Sequence, residues 1–230
     1  MNKHKPKIIE LKLKISWEVS EMYIFFIISV IGIIAIIPVY FLSLEHSKFQ
    51  EKYGKDKGLK LTTIFGMISG WFFFIFLFGI WISPQPTVII PLFQSLTLII
   101  PVLDLSIPIL HMLISVPLIS LAIWYGIIGV KKLTLKVAET HRPEKIVNTG
   151  IYSKIRHPQY FGAILAHLGF SILLSSLYSL LSSPFIIFLI YIISWKEEKE
   201  LLAEFGQEYG EYKKKVPMLV PKIRSMKKRE

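Results

Sequence analysis

Long apolar runs alternate along this chain with short basic stretches. Between residues 61 and 130 the only charged residue is Asp104, and between Pro158 and Ser194 there is none. Crossing the hydrocarbon core of a bilayer takes about 20 apolar residues as a helix. Backbone groups out of reach of water must bond to one another, which a helix achieves within a single segment. The pattern predicts spans at residues 22–44, 62–82, 87–102 and 107–130, then a helical hairpin with arms at 158–174 and 184–195. The hairpin's arms are joined by a serine-rich turn around 177–183. The second arm is short for an independent span unless it continues into the polar helix that follows. The expected fold is therefore an all-α, polytopic membrane helix bundle of about six transmembrane helices, with five as the alternative count. The division is a scaffold of about four spans at 1–130 and a second region at 131–230.

Prolines punctuate the runs. Pro38 is expected to kink the last turn of the first span, Ser83-Pro84-Gln85-Pro86 reads as a turn, Pro91 and Pro101 break the third stretch, and Pro108 and Pro117 fall in the fourth. The second span is rich in aromatic side chains, from Trp71 through Phe72, Phe73, Phe74, Phe76 and Phe78 to Trp81. Such a face suits lipid, and it could also line a ligand groove. Asp104 is expected in a short exposed turn, with His111 at the interface.

Composition fits this reading: 53% of residues are hydrophobic and 13% are aromatic. The net charge of +11 raises the question of nucleic acid, but the cations gather at the ends of apolar runs, in 1–14, 48–60, 131–156 and 213–229. That placement suits anionic headgroups. The positive-inside rule puts 131–156 and the tail beyond Trp195 in the cytoplasm. Six spans would leave the 45–60 loop outside, against the rule. With five, the conflict moves to the lysines of the N-terminus. The absence of cysteine removes disulfides, thiolate catalysis and cysteine metal sites. The histidines, at 4, 46, 111, 141, 157 and 167, show no paired ligand spacing, so no metal site is expected, and His167 reads as a hydrogen-bonded core residue.

The candidate chemistry sits in residues 146–160, I-V-N-T-G-I-Y-S-K-I-R-H-P-Q-Y, and in the pair Glu197-Glu198 at the far end of the hairpin. Arg156 and His157 are donors suited to carboxylate or phosphate. Tyr152 and Tyr160 offer rings with polar tips, and Gly150 permits a turn. Pro158 suits the first turn of a helix, whose N-terminus adds partial positive charge. Adjacent carboxylates at a membrane boundary are costly unless they meet cations or hydroxyls. A ligand with anionic and cationic ends and a sugar diol would satisfy both halves. The plainer reading has Arg156 and His157 reaching for headgroups and the glutamates opening a solvated helix. Beyond them, Leu201, Leu202, Phe205, Tyr209 and Tyr212 recur at helical spacing, predicting an amphipathic helix that caps the cytoplasmic face.

The ensemble V-N-T-G-I-Y-S-K-I-R-H-P-Q-Y-F-G, then E-E-K-E-L-L-A-E-F-G-Q-E-Y-G-E-Y-K-K-K-V-P-M-L-V-P, across residues 145–223, resembles the isoprenylcysteine carboxyl methyltransferase family of integral-membrane methyltransferases. The resemblance implies S-adenosylmethionine as cofactor, held on the cytoplasmic side under the C-terminal helix. It implies that Glu144, Lys145, Ile146 and Val147 run beside the cofactor, with Gly150 turning the chain and Tyr152 against it. His157, Pro158, Gln159 and Tyr160 would wrap the cofactor and Glu197 would bind it. Glu198, its neighbour, and Arg156, orienting a carboxylate of substrate or cofactor, are the catalytic candidates. The implied acceptor is a lipophilic or prenylated molecule entering sideways from the bilayer. Two positions depart from the prenylcysteine enzymes, which often carry a histidine at Glu144 and an arginine at Ile193. A phospholipid N-methyltransferase, an NADPH-dependent sterol or enone reductase and a non-enzymatic lipid-binding protein stay open beside this reading.

Overall fold

The computed structural model describes residues 5–90, 96–101, 105–133 and 145–221, with side chains from residue 24 in the first block and from residue 106 in the third. Six helices and one small hairpin make up the described chain. They are α1 (Lys5–Leu44), α2 (His46–Tyr53), α3 (Lys55–Ile82), β1 (Thr97–Ile100), β2 (Leu105–Pro108), α4 (Ile109–Leu133), α5 (Pro158–Leu173) and α6 (Leu177–Lys215). Four of them, α1 from Ile24 onward, α3, α4 and α6, are long and apolar enough to cross a membrane. This is a polytopic helical membrane protein. α5, at 16 residues, rises about 24 Å and runs antiparallel to α4 between the same two ends.

The third expected span is not a helix. Residues 97–100 pair antiparallel with 105–108, Thr97 opposite Pro108 and Ile100 opposite Leu105. Upstream, Thr87 forms a bridge with Ser176, and Val88 N–H donates to Ser175 O at 2.8 Å. Prolines at 84, 86, 91, 101 and 108 remove helix donors, and Thr87, Val88, Ile89 and Ile90 are β-branched residues that favour extended backbone. Hydropathy alone counted this stretch as a span. Without it, five helices run between the two ends of the bundle. Pro38 and Pro117 sit inside α1 and α4, which continue past them.

The serine-rich stretch opens α6 rather than forming the turn, which is shorter and centres on Ser175 at φ 55°. α6 then runs unbroken through Trp195 and its first charged residues, so the short arm does extend into the polar helix. A break comes at Gly206 (φ 53°, ψ −128°), a conformation that suits glycine, and the last turns fold off at an angle as a cap.

The packing is that of a membrane bundle, with small and hydroxyl residues inside and large apolar ones outside. Ser69, Ser115, Ser171, Ser179 and Ser194 are fully buried, while Phe25, Trp71, Phe78 and Leu113 are exposed. Each buried serine bonds a carbonyl of its own helix or another serine, as Ser171 does with Ser179 at 2.6 Å. α4 and α5 pack closest. A Cβ on Gly162 would lie 2.9 Å from the Ala122 carbonyl oxygen, and one on Gly169 would lie 2.7 Å from Ile119 Cγ1. The apolar core, Ile33, Leu77, Ile80, Ile164, Ile186 and Ile190, joins α1, α3, α5 and α6.

His111, in the first turn of α4, is buried within the protein: Nε2 accepts from Ile90 N–H at 3.2 Å and Nδ1 meets Ser175 Oγ at 2.9 Å. Together they tie the start of α4 to the hairpin turn. Asp104 lies outside the described residues. His167 is a bonded core residue as expected, accepting from Trp81 Nε1 at 3.0 Å and meeting Ser183 Oγ at 3.2 Å. At the opposite end, Lys196 Nζ lies 3.8 Å from Glu45 Oε1, so the α1–α3 corner shares an end with the polar part of α6.

Candidate active site

Where α5 begins and α6 leaves the apolar layer, three segments converge. Pro158 takes the first turn of α5, where its missing N–H leaves nothing unpaired. Before it, Arg156 and His157 are both buried. Their backbone N–H groups donate to Pro217 O at 2.9 Å and Met218 O at 3.1 Å, which lays the chain after α6 along the R-H-P segment. The Arg156 side chain completes a clamp. Its Nε donates to Glu198 Oε1 at 2.6 Å, and one terminal nitrogen donates to the carbonyls of Lys213, at 2.8 Å, and Val216.

Glu198 is 1% exposed. Its second oxygen lies 3.0 Å from Lys213 Nζ, and His157 Nε2 comes within 3.3 Å of the first, off the line a hydrogen bond needs. Burial alone would raise its pKa, but His157, Arg156 and Lys213 together hold the carboxyl down at about 2. A buried ion pair is tolerable when its partners are this fully satisfied.

Glu197 turns the other way. Its Oε2 accepts from the Tyr160 hydroxyl at 2.8 Å and lies 3.8 Å from His157 Nδ1. The His157 ring stacks on Tyr160 with centroids 5.4 Å apart, and the Tyr160 hydroxyl is also hydrogen-bonded to that of Tyr40 on α1. Tyr152 donates to Gly129 O at 3.3 Å and its own carbonyl accepts from the Tyr212 hydroxyl at 2.7 Å. Burial, then the charge of Glu197, raises the Tyr152 hydroxyl above its ordinary value. It therefore remains a donor at any working pH.

These residues enclose a cleft under the cap. Of the candidates drawn from sequence, Ile146, Val147, Tyr152, Arg156, His157, Pro158, Gln159, Tyr160 and Glu197 line it. Lys145 and Gly150 (φ 64°) do not; both are exposed, with Gly150 opening a short 3-10 turn at Gly150–Ser153. Glu198 sits behind the wall in its ion pair, and Glu144 lies outside the described residues. The cleft also takes Leu133 from α4 and Leu201, Phe205, Tyr209 and Tyr212 from α6. The last four were legible only as the apolar face of a cap. Helical spacing shows that such a face is buried without showing what it covers.

A second, larger cavity of about 540 Å³ lies in the apolar layer, between α1, α3, α4, α5 and α6. Ile36, Trp71, Phe73, Phe74, Ile123 and Ile193 are among its walls, so part of the α3 aromatic face lines a groove while Phe72 and Phe78 point outward. Among the described residues, none that lines it is Lys, Arg or His. Gln159 and Tyr160 belong to both the cleft and this cavity.

A model of the phospholipid methyltransferase family matches residues 110–208, which covers α4, the R-H-P segment, α5 and α6 as far as the cap. The stretch is similar to that membrane methyltransferase family. Among individual proteins, the chain is 33% identical over 94 residues to the protein-S-isoprenylcysteine O-methyltransferase of Schizosaccharomyces pombe, covering 37% of this chain and 37% of that one. It is 32% identical over 91 residues to the human protein-S-isoprenylcysteine O-methyltransferase, covering 39% of this chain and 31% of the human one. It is also 33% identical over 75 residues to methanethiol S-methyltransferase 2 of Bradyrhizobium diazoefficiens, covering 32% of this chain and 27% of that one. The matched stretch thus spans about a third of these relatives' length. The family match includes Arg156, His157, Tyr160, Glu197 and Glu198.

Proposed function

We propose that this protein is an integral-membrane methyltransferase that uses S-adenosylmethionine to methylate a lipophilic acceptor. The observation that carries the reading is the shared wall. A polar, acid-bearing cleft at the end of the bundle and an apolar cavity within it meet at Gln159 and Tyr160. A polar donor and an apolar acceptor could each approach that wall from its own phase.

The cleft fits the donor chemically. Its aromatic and aliphatic walls, Tyr152, Phe205, Tyr209 and Leu133, suit a purine and a sulfonium. Glu197 is the acceptor for ammonium or ribose hydroxyl groups. The cap beyond the break at Gly206 forms one wall of the cleft through Tyr209 and Tyr212. When bound, the cofactor supplies an already activated methyl group. The protein's own task is to align the acceptor and exclude water. Arg156 and Glu198 serve by holding the cap to the R-H-P segment, and His157 serves by fixing the Tyr160 ring.

The acceptor enters from the bilayer into the apolar cavity. Isoprenylcysteine is the acceptor of relatives by their names, but the described residues of this cavity offer a carboxylate no cation, and Ile193 stands in its wall. An uncharged acceptor suits it better, as does the thiol named in the methanethiol enzymes. The test is calorimetric binding of S-adenosylhomocysteine to the purified protein in detergent. Glu197→Gln should weaken binding about ten- to a hundred-fold, the worth of a charge-assisted hydrogen bond. Wild-type affinity in that variant removes Glu197 from the cofactor site.

A further inference from the structure

The two cavities share Gln159 and Tyr160, and the Tyr160 hydroxyl is already in a hydrogen-bonded chain. Tyr160 donates to Glu197 at 2.8 Å on the cleft side and is bonded to Tyr40, from α1, on the cavity side. Tyr40 and Tyr160 both line the apolar cavity, and Tyr160 and Glu197 both line the cleft. A phenol that donates its proton to a carboxylate still has two lone pairs, and Tyr40 engages one. The chain therefore leads from an apolar compartment to a carboxylate at the polar end.

Resting on the methyltransferase reading, we propose that the acceptor carries its nucleophile as a neutral X–H group, a thiol foremost, and that Tyr160 and Glu197 take the proton it loses. The X–C bond forms as the C–S bond of the sulfonium breaks, with that electron pair left on sulfur. The X–H electron pair stays on X, its proton passes to the Tyr160 oxygen, and the Tyr160 proton passes to the Glu197 carboxylate. Glu197, with its side chain 16% exposed, returns the proton to water through the cleft. A carboxylate acceptor would have no proton to give, and it would meet no cation among the described residues of this cavity. Among X–H groups a thiol, with an ordinary pKa of about 8.5, is far closer in acidity to tyrosine and glutamate than an alcohol is.

The experiment offers protein in lipid nanodiscs matched eight-carbon acceptors, 1-octanethiol, octylamine, 1-octanol and octanoate, with S-adenosylmethionine as donor. S-adenosylhomocysteine affinity and octanethiol binding are measured alongside by calorimetry. The expected result is methylation of the thiol in preference to octanoate, with a solvent deuterium isotope effect on single turnover. Tyr160→Phe should lower that rate about 10²- to 10⁴-fold, the usual reach of general acid–base catalysis. It should also abolish the isotope effect, which weakened binding alone would not do. Preference for octanoate, or wild-type turnover of the thiol by Tyr160→Phe, overturns the proposal. So does S-adenosylhomocysteine binding with no methylation of any X–H acceptor, and in that case the cofactor reading stands. If wild-type protein binds no S-adenosylhomocysteine, the methyltransferase reading fails first and the proton path with it. If Tyr160→Phe does not fold, the acceptor preference and isotope effect of the wild type decide.

Discussion

Arg156 is the residue whose loss the structure prices most clearly. Its guanidinium is 6% exposed, pairs with a carboxylate that is 1% exposed, and also satisfies the carbonyls of Lys213 and Val216. Removing one partner of a buried pair costs about 3–5 kcal/mol, because the remaining charge is left uncompensated. Here Lys213 and His157 still face Glu198, so the lower end, about 3 kcal/mol, applies. The loss is local. Every bond that Arg156 makes runs to α6 and the residues just after it, and none runs to α4 or to the body of α5. At about 1.4 kcal/mol per ten-fold, the cap in Arg156→Ala should open about a hundred-fold more often. Amide hydrogen exchange of residues 207–216 should accelerate by that factor while α4 and α5 keep their protection. Adding Glu198→Gln should recover part of the loss, since the orphaned charge goes with it. Unchanged exchange in the cap, or a double variant worse than the sum of the single ones, would refute the clamp.

Two further outcomes test the packing and the charge. Gly162→Ala places a methyl 2.9 Å from a backbone oxygen of α4, which cannot swing aside, so the variant should lose about 1–3 kcal/mol in detergent unfolding; wild-type resistance would mean that α4 and α5 do not approach so closely. Because Glu198 has its carboxyl depressed from 4.5 to about 2, its contribution is complete above 4.5 and is lost as pH falls toward 2. Cap protection should therefore hold at neutral pH and fall in acid, and a fall between pH 6 and 8 would point to another group.

Much of this was legible from sequence because membrane helices write their length into hydropathy. Charge-free runs located α3, α4, α5 and the apolar part of α6, and R-H-P followed by E-E located where the site would assemble. What failed was the stretch 87–102. A hydropathy window counts Ile and Val alike in a spanning helix and in an extended hairpin, and only the prolines told them apart. The partition of the glutamate pair was equally hidden. Adjacent residues on a helix point about 100° apart, so one of Glu197 and Glu198 had to face away from the cleft. Which one did was fixed by the return of the chain through Lys213 and Val216 to Arg156, a contact with no local signature. The apolar cavity drew on five helices at once and could be seen only in three dimensions.

Removing the third span moves the charge conflict from the 45–60 loop to the lysines at the start of α1, as the five-span count predicts. With β1 and β2 paired and Val88 bonded to Ser175, α3 and α4 meet at one end of the bundle. The basic loop at 48–60 then falls at the other end with residues 145–156 and the cap, as the Lys196–Glu45 contact fixes. The described basic residues that flank the site thus face one side, the arrangement that the positive-inside rule favours for the cytoplasm; the lysines at the start of the 40-residue α1 lie opposite. The chain has no cysteine, so single replacements can be probed without background. In intact cells, Lys57→Cys and Ser153→Cys should both resist a membrane-impermeant maleimide until the cells are opened. Leu98→Cys, exposed on the hairpin, should react from outside. Labelling of Lys57→Cys together with Leu98→Cys would put the 48–60 loop across the membrane from the site and restore the sixth span. Labelling of all three patterns reversed would keep five spans and turn the cleft outward, away from any cytoplasmic pool of cofactor.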